Sequence, residues 1–309
     1  MIQTVFAATL PVGERLVVHK NRIEGRGGKG PRIAVVTGIH GDELEGQYVA
    51  FELAQRLRER LGDLRGVVDI YPALNPLGMS AASHGVPLFD LDLDRTFPGN
   101  PNGSLNEALA AAIVADIKGA NACVDIQAPD AHLRELSQVR VEEQFSRQLL
   151  PLAQLLNTQL VWVHSNPATQ RATLAHALNT LRTRTLTVEI GESLHITADS
   201  GNWLCEGILR LVEELGGWKS SSIALPTPRV VHDDDVISVT SEAPGVFLPH
   251  VEHGSVVRRG DLLGVVADPL GADILREVLA PVGGLVFSLR AQPIVYPGTM
   301  VARILGGYA

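Results

Sequence analysis

The chain has 309 residues, enough for one large domain and one small one. Apolar residues make up 45 % and charged residues 19 %, which excludes a disordered chain. A net charge of −8 gives nucleic acid or an anionic membrane no electrostatic attraction, so neither is an expected partner.

Residues 1–12 lack a charged segment followed by a long apolar stretch and do not read as a signal peptide. A strand is expected over 12–22, where Val12, Leu16 and Val18 fall among polar residues. After the glycine-rich loop 26–31, Ile33 to Thr37 reads as a buried parallel strand ending at Gly38. Residues 44–61 carry Val49, Leu53, Leu57 and Leu61 at helical spacing. Val67 to Tyr71 is the next strand, stopped by Pro72 and Asn75-Pro76. A long loop over 75–103 has too much pattern for disorder and reads as functional. A helix over 105–117 and strands over 122–126, 160–163 and 185–190 follow, with helical patterns between them and after Gly201.

Alternating strands and helices predict an α/β domain with a mostly parallel sheet over residues 1–218. Residues 219–227 read as a Ser/Pro-rich linker. Residues 228–309 break into short Val-rich segments at Pro244-Gly245, His253-Gly254, Gly283-Gly284 and Pro297-Gly298, the mark of a small all-β domain. No apolar run approaches the roughly 18 residues that a membrane span needs. Cys123 and Cys205 follow no metal or redox spacing and read as buried, reduced thiols, so a soluble cytoplasmic protein is expected.

Candidate ligands and acids cluster just after strand ends, where an open parallel sheet places its sites. His40 and Glu43 could converge on one ion, and nitrogen and oxygen donors suit zinc. A helix start with acids at its positive end explains the same residues. Asp90, Asp92 and Asp94 alternate with Leu91 and Leu93, and Arg95 follows. That reads either as a solvated acidic edge or as a guanidinium poised to hold a carboxylate or a carbonyl oxygen. Asp125 and Gln127 read as a polar strand end and Arg140 as a surface arginine. Glu189 lies within an apolar strand, as a buried acid paired with an arginine or as a general base.

In order, the blocks Gly38–Glu43, Asn75-Pro76 with Asp92–Gly99, Asp125–Gln127, Gln138–Arg140 and Thr187–Gly191 resemble the succinylglutamate desuccinylase/aspartoacylase family over roughly residues 30–215. The resemblance implies a carboxypeptidase-like α/β fold, a mostly parallel mixed sheet flanked by helices, with a small barrel-like β domain appended. It implies hydrolysis of a linear amide in a small molecule such as an N-acyl amino acid. One zinc ion would be held by His40, Glu43 and the residue at 127. Glu189 would be the base, Arg95 would face the developing oxyanion, and Arg140, Asp94 and His84 would line the substrate site.

Three positions depart from the family pattern. Gln127 stands where the second histidine ligand is expected, and a neutral amide is a poor substitute at zinc. Asp94 replaces an asparagine, and His84 falls where a loop arginine is expected. The last two make the pocket less welcoming to a dicarboxylate, so a neutral or cationic substrate is expected. His132 is a candidate replacement ligand. Asp42 or Asp125 could be recruited for another metal, though Asp125 is expected to orient the His40 ring or a backbone group. The competing reading is a metal-poor pseudoenzyme that binds a small ligand in the inherited pocket. The last lysine is Lys219, which excludes a biotinyl- or lipoyl-carrier role for the β domain. Tyr296 is expected either to pack within that domain or to reach the site. The sequence leaves the oligomeric state open.

Overall fold

The computed structural model describes residues 1–89, 91–165, 171–219 and 225–307. Asp90 of the acidic cluster and most of the Ser-rich linker therefore lie outside the described residues. The chain divides into two compact units, Met1–Ala128 with Ser137–Arg229, and Pro129–Leu136 with Val230–Ala309.

The strands of the first unit are β1 (Ile2–Thr9), β2 (Arg15–Glu24), β3 (Arg32–Thr37), β4 (Val67–Tyr71) and β5 (Ala122–Gln127). After β6 (Leu133–Glu135), which belongs to the second unit, come β7 (Gln138–Glu142), β8 (Leu160–His164) and β9 (Thr185–Glu189). The helices are α1 (Glu45–Glu59), α2 (Pro76–Ala81), α3 (Leu105–Ile117), α4 (Ser146–Ala153), α5 (Leu174–Thr180) and α6 (Ala198–Glu214). The sheet runs β1-β2-β4-β3-β5-β9-β7-β8. Pairs β3/β4, β3/β5, β5/β9 and β7/β8 are parallel, whereas β1/β2, β2/β4 and β7/β9 are antiparallel.

The central strands are apolar because helices cover both faces. Every residue of β5 is buried, as are Ile33 to Thr37 of β3. Ala34, Val36 and Cys123 pack against Leu109, Ile113 and Ile117 of α3 and Leu174 and Leu178 of α5. Helix α1 buries Val49, Leu53 and Leu57 at i, i+4 and i+8, and it packs against α6. Both cysteines are buried and free, as the sequence predicts.

One charged cluster is built into this sheet. Asp69, on β4, is fully buried and accepts from Arg22 Nε and Nη2 (both 2.8 Å) and Arg32 Nε (2.9 Å). Lys20 Nζ lies 3.6 Å from it and bonds Asp116 on α3. These neighbours outweigh burial and hold the Asp69 carboxyl below its ordinary value.

The segment 75–103 is ordered by local caps. Asn75 accepts from Gly78 N (2.8 Å) at the start of α2, where Pro76 needs no hydrogen-bond partner. A single 3₁₀ turn covers Leu93–Arg95. Ser104 and Glu107 close a capping box on α3: Glu107 Oε2 accepts from the Ser104 amide and hydroxyl (both 2.8 Å).

In the second unit, the strands after β10 (Arg229–His232) are β11 (Val236–Thr240), β12 (Gly245–Pro249), β13 (Val256–Val257), β14 (Leu262–Asp268) and β15 (Asp273–Leu279). They continue with β16 (Gly284–Arg290), β17 (Ile294–Val295) and β18 (Met300–Gly306). Two antiparallel sheets, β11-β18-β16-β13 and β15-β14-β12-β17, enclose a core that includes Phe247, Leu263, Val266, Val286 and Ile304. Strand β6 pairs with β16. Tyr296 is exposed rather than packed in this core. Among the described residues, no helix is long and apolar enough to cross a membrane.

Candidate active site

Strand β3 ends at Gly38, whose φ of 65° turns the chain out of the sheet. The turn then presses against α2, where a β-carbon on Gly41 would overlap the Gly78 carbonyl. Between these glycines, His40 is held at a fixed position above the strand ends.

His40 is buried and bonded at both ring nitrogens. Nδ1 lies 2.7 Å from Glu43 Oε1, and Nε2 lies 3.0 Å from Asp92 Oδ1. Burial works against charge on this imidazole, but the hydrogen-bonded carboxylates of Asp92 and Glu43 outweigh it and push it up to about 11. Glu43 is also buried, and its Oε2 has no hydrogen-bond partner among the described residues.

The His84 ring stacks on His40, with centroids 3.7 Å apart and planes 12° from parallel. Its Nδ1 lies 3.3 Å from Asp42 Oδ1. His84 is thus brought to the His40 cluster and is not among the pocket-lining residues described below. Two sets of donor atoms lie within 4.8 Å of one another: one each from His40, His84 and Asp92, and one each from Asp42, Glu43 and His84. Two imidazoles, several carboxylates and an unpartnered buried oxygen suit a divalent ion with nitrogen and oxygen ligands.

Gln127 ends β5 as expected, but its amide is engaged: Nε2 donates to Asp125 Oδ2 (3.0 Å). Burial, with Asp94 nearby, drives the Asp125 carboxyl well above its ordinary value. Of the two roles expected of Asp125, orienting the His40 ring is corrected here, because Asp92 makes that contact and Asp125 bonds Gln127. His132 is exposed, with Nδ1 2.6 Å from Asp130.

The acidic edge expected around Asp92 is also corrected. Asp92 Oδ1 accepts from the Asp94 amide (2.8 Å), which folds the segment into the 3₁₀ turn and ends the alternation. Asp94 is buried and accepts from the Leu174 amide (3.0 Å). Burial pushes its carboxyl up to about 6. Arg95 stays exposed, 3.6 Å from Asp92 and 3.8 Å from Asp94.

Asp94, Arg95 and Gln127 line a polar pocket of about 230 Å³, together with Arg140, Glu142, His164 and Glu189. Arg140 Nη1 pairs with Glu189 Oε1 at 3.2 Å, and the guanidinium carbon sits 5.7 Å from the Trp162 ring centroid. Glu142 accepts from His176 Nδ1 (2.9 Å). Glu142, His164 and His176 escaped the sequence analysis. His164 ends a strand, as Gln127, Glu142 and Glu189 do, and that signal could have found it. The Glu142–His176 pair joins residues 34 apart in sequence and left no local trace.

A family model described as the succinylglutamate desuccinylase/aspartoacylase catalytic domain matches residues 29–215, more than half of the chain. The chain belongs to the succinylglutamate desuccinylase/aspartoacylase family. This is a family of deacylases. Over 83 residues the chain is 39 % identical to the N-alpha-acetyl-L-2,4-diaminobutyric acid deacetylase of Halomonas elongata, covering 27 % of this chain and 24 % of that protein. The fold is similar to a succinylglutamate desuccinylase/aspartoacylase from Rhodobacter sphaeroides, with a TM-score of 0.84, 21 % identity, and 100 % and 96 % of the two chains covered. It is also similar to the product-bound ectoine utilization protein EutE (DoeB) of Ruegeria pomeroyi, with a TM-score of 0.84, 23 % identity, and 97 % and 93 % covered. The family membership bears out the sequence resemblance and the α/β fold with an appended β unit.

Proposed function

We propose that this protein is a metal-dependent amidohydrolase that removes the acyl group from a small N-acylated amine. The observation that carries this reading is the convergence of His40 Nδ1 and Glu43 Oε1 at 2.7 Å beyond β3, in a chain that belongs to a deacylase family. His40 and Glu43 would hold the ion, and zinc suits their donors. When bound, the ion supplies Lewis acidity to water and to the scissile carbonyl.

The protein's own groups supply the rest. Glu189 takes the proton of the attacking water on its carboxylate and returns it to the leaving amine. Arg140, paired with Glu189 at 3.2 Å, orients that carboxylate and is not available as a simple clamp for a substrate acid. Arg95 is exposed at the pocket and stabilises negative charge growing on the carbonyl oxygen.

The substrate is neutral or cationic. The pocket is lined by the carboxyl groups of Asp94, Glu142 and Glu189 and by two arginines that both pair with carboxylates, Arg95 with Asp92 and Asp94 and Arg140 with Glu189. The Halomonas elongata relative is described as acting on an N-acetylated diamino acid, a compound with a second amine. An amide of that class meets the charge of this pocket better than an N-acyl dicarboxylate does.

A second reading is favoured by one contact, the Gln127 amide held by Asp125. Under it, the chain binds a small ligand without hydrolysing it. Zinc-loaded protein, assayed against N-acetyl diamino acids, neutral N-acetyl amino acids and N-acetylaspartate, separates the two. Turnover of the first two groups that disappears in Glu189→Gln supports the hydrolase. Ligand binding with no turnover by zinc-loaded protein overturns it, and a preference for N-acetylaspartate overturns the substrate assignment.

A further inference from the structure

Position 127 cannot supply an imidazole, yet a second imidazole stands at the same cluster. We propose that His84 is that ligand, so that the ion is held by His40, Glu43 and His84. This inference rests on the metal-dependent reading above and goes beyond it by moving one ligand to a different part of the chain.

His84 is the residue common to both sets of converging donors, one with His40 and Asp92, the other with Asp42 and Glu43. Its ring stacks on His40 at 3.7 Å between centroids, and His84, with a single carboxylate contact, is the ring that turns to aim a nitrogen at the ion. A metal-binding imidazole commonly has its other nitrogen held by a carboxylate, which fixes its tautomer and orientation. Both rings have that partner. Asp92 holds His40 Nε2, which leaves Nδ1 toward Glu43, and Asp42 holds His84 Nδ1, which leaves Nε2 with no protein partner among the described residues. Glu43 Oε2 is buried and has no partner among the described residues, an oxygen whose desolvation is offset only by a cation or a donor.

The set of two histidines and one glutamate is a familiar one for catalytic zinc. Gln127 falls outside it, with its amide on Asp125. The loop after α2, which carries His84, is pinned to the His40 turn by the Gly41 amide donating to the Ser83 carbonyl (3.0 Å). Asp42 and Asp92 act as positioning residues.

The test is zinc binding to the full chain, measured by competition with a chelating dye and by X-ray absorption, which counts imidazoles on the ion. We expect two imidazoles in the unmodified protein and one in His84→Ala. Because losing a positioning partner alone costs 10–100-fold in affinity, His84→Ala is expected to weaken zinc by at least about a hundredfold, with Gln127→Ala within about threefold of the parent. His84 is half exposed, so the variant should fold, which a thermal melt of metal-free protein checks. One imidazole in the unmodified protein, or an unchanged affinity in His84→Ala, overturns the assignment. If zinc binds tightly but Gln127→Ala is the variant that loses it, His84 is not the ligand and the metal-dependent reading stands. If the parent takes up no zinc, both fall.

Discussion

Arg140 and Glu189 face each other diagonally across the antiparallel junction of β7 and β9. The register pairs Gln138 with Glu189 and Arg140 with Thr187, so period-two alternation puts both charged groups on one face. Their 3.2 Å contact sits on the pocket wall where β9 delivers the proposed base. Arg140→Gln is expected to cost about 1–3 kcal/mol, because it leaves a buried carboxylate without this partner. The double variant with Glu189→Gln should recover part of that loss. Urea unfolding of the four proteins measures the coupling, and losses that simply add would show that the pair contributes nothing.

Asp94 lends itself to a charge test of specificity. An asparagine there keeps an acceptor for the Leu174 amide and removes a carboxyl group from the pocket. Asp94→Asn should raise kcat/KM for an N-acyl dicarboxylate relative to a neutral analogue by about tenfold, equivalent to roughly 1.4 kcal/mol. An unchanged ratio would remove Asp94 from the specificity argument.

The Asp69 cluster predicts a pH dependence of stability. Its folded carboxyl lies below the ordinary value, so its contribution is fully present above that ordinary value, near 3.8. The contribution is lost as pH falls further, through the depressed folded value. Asp69→Asn should cost about 3 kcal/mol at pH 7, and the deficit should shrink as the pH drops below 4. Urea midpoints between pH 7 and pH 3 check this, and a deficit independent of pH would refute it.

The capping box on α3 closes the segment that carries Asp92, Asp94 and Arg95. Ser104→Ala should cost about 1 kcal/mol in urea unfolding while leaving turnover at 25 °C unchanged. A loss of turnover without a loss of stability would mean that the cap positions the loop itself.

The α/β pattern was legible because its central strands and helices carry strong periodicity. The expected helix 105–117 matches α3, and the expected strand 67–71 matches β4. Strand β1 was missed, since it is a sheet edge with few buried positions and its pattern is weak. Strand β7 was missed because Gln138 and Glu142 are buried polar residues, which hide a short alternation. At the site, His40, Glu43, Arg95 and Glu189 were legible from strand ends and from the family resemblance. Asp92 was read as part of an extended edge, whereas its own side chain bends the backbone. The stacking of His84 on His40 depends on how the loop after α2 folds back, which no local spacing encodes.

The assignment of residues 129–136 to the unit that holds 230–309 constrains how this protein can be taken apart. Strand β6 lies between β5 and β7 in the chain and pairs with β16, so the second unit is built from two separate stretches of sequence. A truncation after residue 229 removes the partner of β6 and strands a segment lying between Gln127 and Arg140 in the chain. A module exchange with a relative must therefore graft two separate pieces, residues 129–136 and 230–309.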